Sequence, residues 1–108
     1  MNLFIQEAAE RDILRQIEWY AEKGVPAIGL RFSDAVAESL KAVIAMPLSG
    51  APKATTNPRL AGLRTWPVKG LDECRIYCLV QPELLTVLRV LHDNRDTDAL
   101  LRRQVVQG

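Results

Sequence analysis

The apolar residues of this 108-residue chain change their period once. Up to Ile44 they recur every three to four residues, the repeat of a helix face. From Leu63 to His92 they run in short extended blocks parted by turn residues. A chain patterned in this way folds as helices laid on a sheet, the α+β class.

Leu3-Phe4-Ile5 is a short apolar run that suits a first strand. Ala8 to Lys23 reads as a helix, with Ala9, Ile13, Ile17, Tyr20 and Ala21 on its apolar side and Arg11, Asp12, Arg15 and Glu18 on the others. Gly24 fits the position just past the helix end. Pro26 fits the first position of a second helix, whose stripe is Ile28, Phe32, Val36, Leu40, Val43 and Ile44. Met46-Pro47 ends it, because a residue before proline avoids the α region. So short a link between the helices predicts an antiparallel helical hairpin.

Residues 47–62, PLSGAPKATTNPRLAG, have no clear period and read either as a functional loop or as a wandering connection. Strands are predicted over Leu63–Val68, Arg75–Val80 and Leu85–His92. The first two are joined through Lys69-Gly70-Leu71-Asp72 and the last two through Gln81-Pro82-Glu83, so neighbouring strands are antiparallel. On the last strand, simple alternation puts Leu85, Val87 and Leu91 on one face and Leu88 and Val90 on the other. Asp93-Asn94-Arg95-Asp96 breaks the pattern, and Asp96 or Asp98 is placed to cap a short final helix through Arg103. The predicted order is β-αα-βββ-(α), a single domain over 1–108, with the helices on one sheet face.

At 48% hydrophobic and 25% charged, the composition is that of an ordinary globular domain with a small core, which a partner can supplement. The formal net charge of +1 does not point to nucleic acid, yet Arg64, Lys69, Arg75, Arg89, Arg95, Arg102 and Arg103 all lie in the second half. Cys74 and Cys78 on one strand lie about 13 Å apart, too far for a disulfide. With His92 as the only histidine, a structural zinc site is not expected, nor is any cofactor. Unpaired thiols fit a cytoplasmic protein. The N-terminus, MNLFIQEAAERD, has no basic region before an apolar run and does not read as a signal peptide, and no stretch is long and apolar enough to suggest a membrane span.

Three blocks carry a family resemblance: Leu63-Arg64-Thr65-Trp66-Pro67-Val68, Arg75-Ile76-Tyr77, and Val87-Leu88-Arg89-Val90-Leu91-His92-Asp93-Asn94-Arg95-Asp96. Together they resemble the sheet half of the ParE/RelE toxins of bacterial type II toxin–antitoxin pairs. Ile17, Tyr20, Pro26, Phe32, Pro47 and Gly50 agree with the same pattern in the first half. The resemblance implies an N-terminal strand and a helical hairpin on a small antiparallel sheet, with a short C-terminal helix. It also implies a cognate antitoxin with a DNA-binding N-terminal domain, held in a toxin–antitoxin hetero-oligomer. Two activities occur on this fold: ParE-like members inhibit DNA gyrase, and RelE-like members cut messenger RNA, mostly in the ribosome.

Metal-free RNA cleavage needs a proton-handling group and cations to hold phosphate charge. The resemblance supplies Arg75, His92 and Arg95 for such a site. It lacks the paired lysines that RelE-like enzymes carry on the first sheet strand, where this chain has Arg64-Thr65-Trp66, and the Tyr or His of their C-terminal segment, where it has residues 97–103, TDALLRR. The ParE-like reading is therefore preferred, with Arg64, Trp66, Arg75, Asn94 and Arg95 as target-binding candidates. A toxin fold that has kept only binding is the third reading.

Each of these residues also has a plain structural reading. His92 either bonds the turn that follows it or meets a target. Arg89, between Leu88 and Val90, is expected to form an ion pair with a helix carboxylate. Arg64 and Arg75 are either functional or simply solvated. Trp66 suits core or interface packing, and Trp19 and Tyr20 are expected in the core. The segment Leu100–Val106 is either a helix docked on the sheet or a mobile end.

Overall fold

The first helix stops at Gly24 through backbone bonding alone. In the computed structural model, which describes residues 1–92 and 97–106, Gly24 has φ +79. Its N–H reaches the Ala21 carbonyl at 3.1 Å, and the Val25 N–H reaches that of Tyr20 at 2.9 Å. These paired bonds are the Schellman closure, which satisfies the free carbonyls of a helix end. Helix α1 (Glu7–Glu22) thus turns directly into α2 (Pro26–Ala45), which begins with proline as predicted. Val25, at the cap of α2, has no side-chain acceptor, so proline's missing N–H leaves one fewer donor to satisfy.

The other elements are β1 (Asn2–Ile5), β2 (Ala51–Pro52), a 3-10 turn at Pro58–Leu60, β3 (Leu63–Val68), β4 (Leu71–Val80), β5 (Leu84–His92) and α3 (Thr97–Arg102). The sheet order is β1-β5-β4-β3-β2. Strands β2 to β5 pair antiparallel, as the short turns predict. Strand β1 joins β5 in parallel, so the sheet is mixed rather than wholly antiparallel. The hairpin α1–α2 supplies the long crossover that a parallel connection requires.

The helical hairpin covers one sheet face. Ala9, Phe32, Val36, Leu40 and Val43 meet Trp66, Val68, Ile76, Cys78, Leu85, Val87 and Val90 there, all buried. The opposite face has its own smaller core of Leu60, Leu63, Tyr77, Leu79, Leu88 and Leu101, closed by the 3-10 turn and α3. Apolar side chains on both faces of the central strands match this double cover.

Two further expectations are corrected, and two open readings are decided. The register shifts between Tyr77 and Cys78, and Leu88 is passed over in the pairing with β4. This bulge resets the alternation of β5, so Val90 joins the helix-side core while Leu88 and Leu91 join the other. Asp12, which lies outside the apolar stripe of α1, is nonetheless buried. Trp19 is 49% exposed, its ring set edge-on to Tyr20 with centroids 5.2 Å apart, so only Tyr20 packs on the core. Residues 47–62 do not wander: they hold β2 and the 3-10 turn, and Gly50 is buried against the Trp66 indole. The tail is a docked helix, with Leu101 only 1% exposed. Among the described residues, no helix is long and apolar enough to cross a membrane, and no cluster of His, Cys, Asp or Glu is arranged to hold a metal.

Candidate target-binding face

Strand alternation sorts the candidate residues onto different surfaces. Arg64 and Trp66 lie on β3, on the face shared with Val68. The Arg64 Nη1 donates to the carbonyls of Leu48 at 3.2 Å and Gly50 at 2.7 Å. This guanidinium therefore fixes the turn leading into β2. Trp66 is buried, and its Nε1–H donates to the Ser49 hydroxyl at 3.1 Å. Its indole belongs to the core, where it supports the same turn, and it also lines a groove with Glu38, Lys41, Ala42 and Lys69. Both residues hold the 47–52 segment in place.

Arg75 lies on β4 and is half-buried on the face turned away from the hairpin. Its Nε donates to the Thr65 hydroxyl at 3.1 Å, and its backbone partners are Pro67 and Leu91. The remaining guanidinium nitrogens have no partner among the described residues, so Arg75 keeps a donor fork for a target. His92 pairs with Cys74 across the strands and emerges on the hairpin side. There it shares an open pocket with Arg15, Gln16, Trp19, Tyr20 and Glu73. Its Nε2 is 3.6 Å from a Glu73 carboxylate oxygen, a distant and exposed pair. Arg75 and His92 thus lie on opposite faces of the sheet. Asn94 and Arg95 fall outside the described residues.

Arg89 forms the predicted ion pair with a helix carboxylate. Its Nε and Nη2 meet the two oxygens of Asp12 at 2.7 and 2.8 Å. The bonds to Asp12 push the guanidinium pKa up, outweighing the effect of burial, so Arg89 stays charged. Nη1 lies 3.5 Å from the Gln104 side-chain oxygen. Burial pushes the Cys78 thiol up to about 12. Cys74 is raised by burial and by the neighbouring Glu73. Both thiols are free, buried and neutral at ordinary pH, which leaves neither poised as a nucleophile.

Asn57 is the residue that the sequence pattern did not single out. Its Nδ2 donates to the carbonyls of Leu101, Arg102 and Gln104 at 3.2, 3.3 and 3.0 Å. Its Oδ1 accepts the Arg59 N–H at 3.0 Å. The Asn57-Pro58 pair was a signal for a local turn. Nothing in the sequence pointed to partners so far along the chain.

A family model described as "ParE toxin of type II toxin-antitoxin system, parDE" matches residues 3–97. No curated protein sequence matches at a significant level. Among solved structures, a chain of the chromosomal ParDE TA system from P. aeruginosa superposes with a TM-score of 0.70. It is 19% identical, and the match covers 87% of this chain and 97% of that one. At that identity the likeness speaks for the fold, while the family match spans both the hairpin and the sheet. The chain therefore belongs to the ParE toxin family of type II toxin–antitoxin systems.

Proposed function

We propose that this toxin arrests growth by binding DNA gyrase, without cutting RNA, and that a cognate antitoxin with a DNA-binding N-terminal domain neutralises it in a hetero-oligomer. The separation of Arg75 from His92 is the observation that carries the binding reading. A metal-free ribonuclease needs its proton-handling group and its phosphate-holding cation within reach of one scissile phosphate. These two side chains leave the sheet on opposite faces. Arg64 is tied to backbone carbonyls, and the arginine that does share a pocket with His92 is Arg15 of α1, which is not one of the ribonuclease candidates. Arg75, its fork open beside Pro67 and Leu91, is the proposed contact on the target-facing side.

A supercoiling assay with purified gyrase tests this reading. The folded toxin is expected to block supercoiling, and addition of the antitoxin encoded beside it to restore the reaction. Full supercoiling at a large excess of toxin would reject gyrase as the target. Codon-periodic breaks in messenger RNA on expression would restore the ribonuclease alternative built on Arg75, His92 and Arg95.

A further inference from the structure

Asn57 brings two arginines of distant sequence together. By accepting from the Arg59 N–H and donating to the Arg102 carbonyl, one carboxamide sets the 3-10 turn against the end of α3. Arg103 is next in the chain. Basic side chains near a helix end commonly serve its free carbonyls. Here Asn57 already takes those of Leu101 and Arg102, so the guanidinium groups are not needed for that task. Arg59, Arg102 and Arg103 are exposed, and none is paired with a carboxylate among the described residues.

A groove of about 570 Å³ has Arg102 in its wall, with Ala54, Thr55, Thr56, Asp98 and Ala99. Its one acid among the described residues, Asp98, is held by the Lys53 Nζ at 3.1 Å. Among the described residues, no aromatic or large apolar side chain lines the groove, whereas protein partners are usually anchored by such groups in well-packed pockets. Small residues, hydroxyls and unpaired guanidinium groups are instead the chemistry that takes phosphate oxygens.

We propose that this groove, together with the exposed arginines gathered around Asn57, binds the phosphodiester backbone of duplex DNA without regard to sequence. Arg75 is not among the described residues that line the groove, and the proposal does not require gyrase to be the target. The toxin would hold DNA with Arg59, Arg102 and Arg103 as phosphate contacts, Lys53 adding charge and the Thr56 hydroxyl a polar contact.

Fluorescence anisotropy of the full-length toxin with a short labelled duplex, in the absence of gyrase, tests the proposal. Binding should weaken with salt at a log–log slope of about −3, the value for three neutralised phosphates. The triple variant Arg59→Gln, Arg102→Gln, Arg103→Gln should lose about tenfold or more in affinity and flatten that slope, with its circular dichroism unchanged. Asp98→Asn, which removes the groove's acid at an exposed position, should tighten binding by about two- to fivefold. Absence of duplex binding at low salt would overturn the proposal, as would unchanged binding in the triple variant. So would a polyglutamate peptide that binds the groove while DNA does not, since the occupant would then be an acidic protein segment. If gyrase inhibition fails while duplex binding holds, only the target reading falls.

Discussion

Asp12 and Arg89 close the open edge of β5 where β1 leaves it. Strand β1 pairs with β5 only as far as Val87, and the Gln6 N–H takes the Val87 carbonyl at 3.0 Å. Beyond the bulge at Leu88, Asp12 Oδ2 accepts both the Arg89 Nε–H at 2.7 Å and the Val90 N–H at 3.0 Å. The helix carboxylate thus does the work of an adjoining strand, and an unpaired edge donor is satisfied. The two side chains are 6% and 14% exposed, so neither charge is well solvated.

Removing one partner should therefore cost far more than a surface pair would. Asp12→Ala strands the Arg89 charge and the Val90 N–H, and is expected to lose about 3 kcal/mol. Replacing both, with Asp12→Leu and Arg89→Met, should recover much of that loss, since the pair's desolvation disappears with it. Urea unfolding of the two single variants and the double variant measures the coupling. A loss below about 1 kcal/mol for Asp12→Ala would mean that the pair does not hold the edge.

Gly50 is a second point of high sensitivity. A Cβ built there would lie 2.4 Å from the Trp66 ring, far inside contact distance. The ring cannot retreat easily, because its Nε1 is bonded to Ser49 and its body is in the core. Gly50→Ala should cost about 1–3 kcal/mol through overpacking, read as a lower urea midpoint. A shift in the Trp66 fluorescence should accompany it. An unchanged midpoint would show that the 47–52 segment yields freely.

The buried thiols give a pH prediction. Cys78 has its pKa raised to about 12 in the fold, against an ordinary value of 9.0. A raised folded value favours the protonated state, so its contribution is intact below about pH 9. Above that pH the unfolded chain ionises while the folded chain does not, and stability falls as the pH approaches 12. Stability should therefore drop with rising pH across this window, and less so in Cys78→Ala. Alkylation at pH 8 should be slow for both cysteines in the folded toxin and rapid in urea. Fast labelling of the folded protein would contradict the burial.

The hairpin was legible because its signals are local. Gly24, Pro26 and Met46-Pro47 mark its ends, and the apolar stripe of α2 needs only a period. The three strands were legible for the same reason. The bulge at Leu88 was not, since nothing in Val87-Leu88-Arg89-Val90 marks where alternation slips; the pairing with β4 decides it. Likewise the helix period places Asp12 only outside the apolar stripe, and its burial depends on Arg89, far along the chain, folding against it. Trp19 was misjudged because exposure depends on how far the sheet extends under the helix, which its spacing does not encode. Of the candidate site, the residue types were legible but their division between two sheet faces was not. That division follows from cross-strand register, and it is what separates Arg75 from His92.

Asn57 makes the stability of the tail local. Its carboxamide bonds three carbonyls at the end of α3, and Lys53 holds Asp98 from the same side. Asn57→Ala should raise hydrogen exchange and proteolysis across residues 97–106, with a global loss of only about 1–2 kcal/mol. Exchange in α1 and α2 should be little changed. Equal loss of protection throughout would mean that α3 unfolds only with the whole domain.

Arg75 and His92 supply the test that bears most directly on function. A ribonuclease needs both, whereas a binding toxin needs only the residue that faces its target. His92→Ala removes an exposed ring whose one ion-pair partner among the described residues is Glu73 at 3.6 Å, so neither fold nor binding should suffer. Growth arrest on expression should persist in that variant at the level of the unaltered toxin. Arg75→Ala deletes the open donor fork and should weaken gyrase inhibition by about tenfold or more, the worth of a charge-assisted hydrogen bond. Thr65 is buried and is left without this donor, so the Tm should also fall by several degrees, and inhibition is compared at a temperature where both proteins are folded. Equal loss of toxicity in both variants, with cleaved messenger RNA in the unaltered strain, would favour catalysis. Loss from Arg75→Ala alone would place the target on the face away from the hairpin.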